Sequence, residues 1–178
     1  LHNISGKHAP IQLVDVGSGA GFPGIPMAII SSNIDVSLVE STEKKCVFMN
    51  QIINEIGLSN ARVFNERVEK LGQDCEHRER YDWAIARAVA SLPVLAEYLL
   101  PLTRVSGYCL AQKTLVSESE ISKATSVLSQ LGGHLDQIVP VDLPDVHQTR
   151  HLIVMRKITA TPKKYPRRPG IPKKRPLI

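Results

Sequence analysis

"LVDVGSGAGFPGIP", residues 13–26, sets four glycines and two prolines behind a short apolar run that carries one acid, Asp15. A simple turn after a strand needs one or two residues of special conformation, whereas Gly17, Gly19, Gly21 and Gly24 fall within eight positions. That density suits a backbone that approaches a ligand closely and adopts positive φ where required. The run ahead of the glycines, "IQLVDVG" (11–17), reads as a β-strand, so the stretch is a strand-to-helix turn of the kind that binds ligands at the carboxyl edge of an α/β sheet.

Reading outward, "IDVSLVES" (34–41) and "ARVFNE" (61–66) are further strand candidates. Between them "STEKKCVFMNQIINEIG" predicts a helix capped by Ser41 or Thr42, with an apolar stripe at Met49, Ile52, Ile53 and Ile56 and a stop at Gly57. "YDWAIARA" (81–88) and "GYCLAQK" (107–113) predict strands four and five, with "SLPVLAEYLLPL" as a helix that Ser91 caps and Pro93 begins. "SESEISKATSVLSQLGG" is a Ser-started, Gly-ended helix. "HLDQIVPVDL" and "RHLIVMRKI" follow as two strands joined by a Pro- and Asp-containing turn, which predicts an antiparallel pair. The expected fold is α/β: a doubly wound, Rossmann-like sheet of about seven strands, five of them of parallel type, with an antiparallel C-terminal strand at the edge.

At 178 residues and 43% hydrophobic content the chain suits one domain, placed at residues 1–158. Because the sequence opens on Leu1, we expect an N-terminal part of a longer chain ahead of it. The net charge is +5, yet nine of the 22 Lys and Arg lie from Arg156 onward with no acid among them, leaving 13 against 17 acids before that point, a net of −4. The basicity therefore sits in "TATPKKYPRRPGIPKKRPLI", residues 159–178. Five of the twelve prolines fall there, so an extended arm is expected, with Lys163, Lys164, Arg167, Arg168, Lys173, Lys174 and Arg175 facing a polyanion. No apolar run reaches the roughly 20 residues of a bilayer span, so a cytoplasmic protein without membrane contact is expected. Cys46, Cys75 and Cys109 are odd in number and widely spaced, which suits buried or idle thiols. His147 and His151 stand four apart but lack the Glu of H-E-x-x-H, so no metal site is expected.

The ligand follows from strand ends. Gly19-Ala20-Gly21-Phe22-Pro23-Gly24 satisfies the dinucleotide pattern G-x-G-x-x-G, but Pro23 would stand in the first turn of the phosphate-binding helix. Asp15 suits a cationic amino-acid head, held directly or through water, and repels a phosphate. Glu40 ends the second strand, where a carboxylate accepts from ribose hydroxyls, and Val68-Glu69 at the third strand end offers an amide and an acid to an adenine edge. S-adenosyl-L-methionine meets all three demands. A nicotinamide-linked oxidoreductase and a non-catalytic RNA-binding module remain the alternatives.

With those residues in view, the chain resembles the 16S ribosomal RNA guanine-N7 methyltransferases, also called the glucose-inhibited division protein B family. The resemblance rests on "LVDVGSGAGFPGIP", "ARVFNERVEKL", "YDWAIARAVASLP" and "TPKKYPRRPGIPKKRPL", and covers nearly all of residues 11 to 178. It implies that Gly17 and Phe22 contact the cofactor, that Glu40, Ser41 and Thr42 form the ribose-side wall, and that Val68 and Glu69 take the adenine. It further implies that Arg87 lies at the active centre, among the cofactor-binding residues and positioning rather than deprotonating, with Arg67 and Lys113 near the RNA side. The implied target is a guanine at position 527 in the 530 loop of 16S rRNA, free or in the small ribosomal subunit, and a monomer is expected. Family members carry a helical segment before the first strand; here Leu1 to Pro10 precede it.

Aromatics make up only 4% of the chain, too few for a broad stacking platform, which leaves Phe22, Tyr165 and Trp83 as isolated candidates for a base contact, Trp83 reading as core.

Overall fold

Burial on both faces organises the central strand: Leu13 and Asp15 of β1 (Ile11–Val16) face one side of the sheet, Val14 and Val16 the other, and all four are buried. The structure is a computed structural model that describes residues 9–87, 90–114, 117–144 and 148–178. Around β1 are arranged α1 (Gly24–Ile30), β2 (Ile34–Glu40), α2 (Glu43–Glu55), β3 (Ala61–Asn65), α3 (Val68–Leu71), β4 (Tyr81–Arg87), α4 (Leu92–Leu99), β5 (Thr103–Lys113), α5 (Glu118–Leu131), β6 (Gly133–Val141), β7 (Arg150–Lys157) and α6 (Ile171–Lys174). They form one seven-stranded sheet of order β3-β2-β1-β4-β5-β7-β6. The order reverses on either side of β1, which opens a crevice at the carboxyl ends of β1 and β4.

Two apolar layers close the sheet. Val14, Val16, Ala84, Ala86, Cys109 and Ala111 pack under α4 and α5, while Leu13, Leu38 and Ile85 pack under α1 and α2. The buried stripe of α2 is Cys46, Met49 and Ile53; Ile56, expected in it, is exposed because the helix is already ending at that turn. Thr42 is the N-cap residue of α2, Ser91 that of α4, and the Ser117 hydroxyl accepts from the Glu120 amide at the start of α5. Helix α1 begins at Gly24 with Pro23 just ahead of it, not in its first turn as expected.

The antiparallel strand is not the edge. β7 runs antiparallel to both β5 and β6 and lies between them. The apolar run of β7 buries Ile153, Val154 and Met155, whereas β6 carries exposed His134, Asp136, Gln137 and Pro140, residues suited to an edge that must not pair further. Part of the turn joining β6 to β7, residues 145–147 and so His147, lies outside the described residues, as do residues 88 and 89 of the fourth-strand motif and residues 1–8.

The C-terminal segment is docked rather than extended, and it contains the single turn α6. Arg78 donates to the carbonyls of Tyr165 (2.8 Å), Thr161 (2.7 Å) and Gly72 (2.7 Å), stitching the segment to the loop before β4. Lys157, 0% exposed, donates to Glu79 (2.9 Å), the Leu100 carbonyl and the Thr161 hydroxyl, both at 2.6 Å. Tyr165 is buried, so the stacking expected of it is corrected: its ring belongs to the core. Cys46 and Cys109 are buried as expected, and Cys75 is exposed.

Candidate active site

The glycine loop after β1 is tied to the neighbouring strand through its own backbone. Gly17 and Ser18 donate to the Val39 carbonyl at 2.8 and 3.2 Å, and the Ser18 hydroxyl donates back to the Asp15 carbonyl at 2.8 Å. Gly17 and Gly19 have φ of 72° and 62°, a conformation that a side chain makes costly. Gly24 serves packing instead: a Cβ there would lie 2.4 Å from Leu38 Cδ2 and 2.9 Å from Asp15 Oδ2. The loop thus keeps its shape with bare backbone facing outward.

Glu40 holds the loop from the end of β2. Its Oε2 accepts from Gly19 N (3.2 Å) and its Oε1 from Thr42 N (2.9 Å), with Lys45 at 3.6 Å. Burial alone would raise its pKa, but the Thr42 contacts and Lys45 outweigh that and hold the carboxyl below its ordinary value. An ionised carboxylate therefore stands at the second strand end with its oxygens fixed.

Gly17, Glu40, Ser41, Val68 and Glu69 come together in one cleft of about 140 Å³, which Val16 and Val39 also line. Four residues join them that were not expected in this role: Ala90, Tyr98 of α4, and Arg67 and Lys173, the last two assigned to RNA contact from the sequence. Glu69 is 3% exposed and accepts from Gly170 N at 2.8 Å and from the Tyr98 hydroxyl at 3.4 Å. Burial first, and then the charge of Glu69, push the Tyr98 hydroxyl up to about 12, so it stays a donor. Thr42 and Gly19 anchor Glu40 without lining the cleft.

Asp15, expected to hold a cationic head directly or through water, is a buried carboxylate beside the loop. It is 1% exposed, its Oδ2 accepts from Gly24 N at 3.0 Å, and its Oδ1 has no partner among the described residues. Burial pushes its pKa up to about 6, against the pull of the Gly24 amide, Ser18 and the charge of Arg87. Arg87 ends β4 two residues beyond Ile85, the register partner of Asp15, and is exposed on the same face of the sheet. Phe22 is 53% exposed at the loop's tip, and Trp83 is half-buried, stacked on Tyr108 with ring centroids 5.0 Å apart.

Two expected RNA contacts are engaged inside the protein. Lys113 pairs with Glu120, whose carboxylate also accepts from Leu92 N. Arg167 pairs with Glu97, which is 0% exposed, through its backbone N (2.8 Å), Nε (2.9 Å) and NH2 (2.6 Å). Lys163, Lys164, Arg168, Lys174 and Arg175 are exposed along the docked segment. No group of three metal-ligating side chains occurs among the described residues.

The dinucleotide pattern loses its chemistry here. The Gly24 amide that would meet a pyrophosphate is already bonded to Asp15, and a carboxylate in that position opposes phosphate.

The chain is similar to known proteins over most of its length. Two curated relatives, both described as "Ribosomal RNA small subunit methyltransferase G", come from Pelotomaculum thermopropionicum and Desulforamulus reducens. The first is 50% identical over 175 residues, covering 96% of this chain and 73% of the relative; the second is 43% identical over 166 residues, covering 93% and 69%. Among solved structures, a 16S rRNA (adenine(1408)-N(1))-methyltransferase variant from Catenulisporales acidiphilia, crystallised with its cosubstrate SAM, superposes with a TM-score of 0.71 at 16% identity, over 86% of this chain and 88% of that one. The antibiotic-resistance methyltransferase Kmr superposes with a TM-score of 0.68 at 17% identity, over 85% and 88%. These two likenesses concern the fold. The family model described as "GidB: rRNA small subunit methyltransferase G" matches residues 2–153, and the chain belongs to that family.

Proposed function

We propose that the chain transfers a methyl group from S-adenosylmethionine to N7 of one guanine in small-subunit rRNA, the guanine of the 530 loop. The observation that carries the reading is the cleft in which bare Gly17 backbone, the ionised Glu40 carboxylate and the Val68-Glu69 corner meet, in a chain of this family. The donor set fits the cofactor: Glu40 for the ribose hydroxyls, Val68 and Glu69 for the adenine, and the buried Asp15 carboxylate, with an unpartnered oxygen, as a negative field for a cationic head. When bound, the cofactor supplies a methyl group on a sulfonium sulfur.

Guanine N7 has an in-plane lone pair that is unprotonated at neutral pH, so no side chain has to remove a proton. Positioning is the chemical task, and holding the reacting atoms about 3–3.5 Å apart in line supplies several kcal/mol. Arg87, at the carboxyl end of β4, offers a planar bidentate donor to a phosphate or to guanine O6. N7 and O6 face the narrow major groove of A-form RNA, so the target base is an unpaired one. The exposed cations of residues 159–178 add phosphate contacts that weaken with salt. As part of the same proposal the chain works as a monomer in the cytoplasm; no described helix is long and apolar enough to cross a membrane.

The test is transfer of labelled methyl from S-adenosylmethionine to undermethylated 16S rRNA or small subunits, mapped by N7-specific strand cleavage. A single labelled guanine in the 530 loop is the expected result. Label at another atom or base refutes the target, and absence of both transfer and cofactor binding refutes the reading itself.

A further inference from the structure

The C-terminal segment carries features that RNA contact does not require. Its Gly170 amide is spent on Glu69, an acid of the cofactor cleft 101 residues earlier, and Lys173 lines that cleft beside Glu40 and Ser41. Pro172, between them, is buried. Arg167 is held by the fully buried Glu97 one helical position from Tyr98, whose hydroxyl meets the same Glu69. Residues 167–173 thus follow the cleft wall from α4 to its mouth.

We infer that this segment is a wall of the S-adenosylmethionine site, with Lys173 as a further cofactor-positioning residue, so that cofactor binding and docking of the segment strengthen each other. The inference rests on the methyltransferase reading above. Glu69 anchors the wall: its carboxylate accepts from Gly170 on the segment and from Tyr98 on α4, and so sets the width of the cleft at the Val68 corner. Lys173 brings an ammonium donor to the cleft that Gly17, Glu40 and Ser41 also line. If the segment binds more tightly when the cleft is filled, linkage requires that the cofactor bind more tightly when the segment is docked, by the same factor. The exposed Arg168, Lys174 and Arg175 sit on that same segment, so a loaded cleft also fixes the cations that meet rRNA.

The experiment measures S-adenosylmethionine affinity by calorimetry for the full chain, for Lys173→Ala, and for a chain ending after Arg168, which keeps the Arg167–Glu97 pair and with it the buried charge balance. Amide hydrogen exchange of residues 165–174 with and without S-adenosylhomocysteine is the second readout. We expect Lys173→Ala to weaken binding about tenfold, the scale of one charge-assisted hydrogen bond. The shortened chain should weaken it further, and the product should slow exchange at Gly170. Equal affinities in all three proteins, with exchange unchanged by the product, overturn the inference and leave the methyltransferase reading standing. A full chain that takes up no cofactor removes both. Circular dichroism of the shortened chain separates loss of the wall from loss of the fold, and if it is unfolded Lys173→Ala and the exchange data decide.

Discussion

Asn in place of Asp15 should make the cofactor-free protein more stable at neutral pH and a poorer cofactor binder. The carboxyl is 1% exposed and burial pushes its pKa from 3.8 to about 6, while the Gly24 amide, Ser18 and Arg87 recover only part of that cost. A shift of about two units corresponds to roughly 3 kcal/mol. Because the folded protein holds this proton more tightly than the unfolded chain, the contribution is most favourable below about pH 4. It is lost as pH rises from about 4 to about 6 and stays lost above that. Asn keeps an oxygen for Gly24 N and removes the charge, but puts an unpartnered N–H where Oδ1 stood, at about 1 kcal/mol. The net expectation is a gain of about 2 kcal/mol at pH 7.5 and a loss of about 1 kcal/mol at pH 4, read from urea unfolding of the cofactor-free proteins. Calorimetric affinity for S-adenosylmethionine should rise between pH 5 and 7 in the parent, as the carboxylate ionises, and stay flat and weaker in Asp15→Asn. Equal pH slopes in the two unfolding series, or a variant less stable at pH 7.5, would refute the reasoning.

Arg167→Ala leaves Glu97 buried and unpaired and should cost about 3–5 kcal/mol in unfolding experiments, while Arg167→Lys, which keeps the charge but not the bidentate geometry, costs less. The salt slope of RNA binding by Arg167→Lys should match that of the parent, since this cation is already spent inside the protein. Gly24→Ala drives a Cβ to 2.4 Å from Leu38 Cδ2 and 2.9 Å from Asp15 Oδ2, so a loss of about 1–3 kcal/mol in stability and weaker cofactor binding are expected by denaturation and calorimetry. Arg87→Ala, at an exposed strand end, should lower kcat in the methyl-transfer assay and, by removing a charge that favours the Asp15 carboxylate, lower the unfolding midpoint slightly at pH 7.5.

What could be read from the sequence was local. Thr42 and Gly57 bound α2 because capping and left-handed stops are decided within a turn, and the glycine loop announces a ligand because only close backbone approach explains so many missing side chains. The order of β6 and β7 depends on which of two strands better tolerates an open edge, a comparison of His134, Asp136 and Pro140 with Ile153 and Met155 that periodicity does not make. The docking of the C-terminal segment was hidden for a different reason. Composition counts charges, but Lys157, Arg167 and Lys113 are neutralised by Glu79, Glu97 and Glu120, partners far off along the chain or turned inward. One signal was present: Glu97 stands in the middle of the apolar run "LPVLAEYLL", and a carboxylate on a helix buried on every side has to meet a cation brought from elsewhere.

The two carboxylates that matter at the sheet's carboxyl edge differ in state because they differ in surroundings. Glu40 accepts two amides and faces Lys45, so it stays ionised and gives fixed oxygens to neutral hydroxyls. Asp15 is buried with one amide on Oδ2 and no partner for Oδ1 among the described residues, so its charge is costly until a cation shares its field. On the proposed reading, a cofactor with a neutral ribose and a cationic methionine end would set its ribose against Glu40 at the end of β2 and its cation in the field of Asp15 on β1. The opposite placement would set the cation beside Lys45 and leave Asp15 uncompensated.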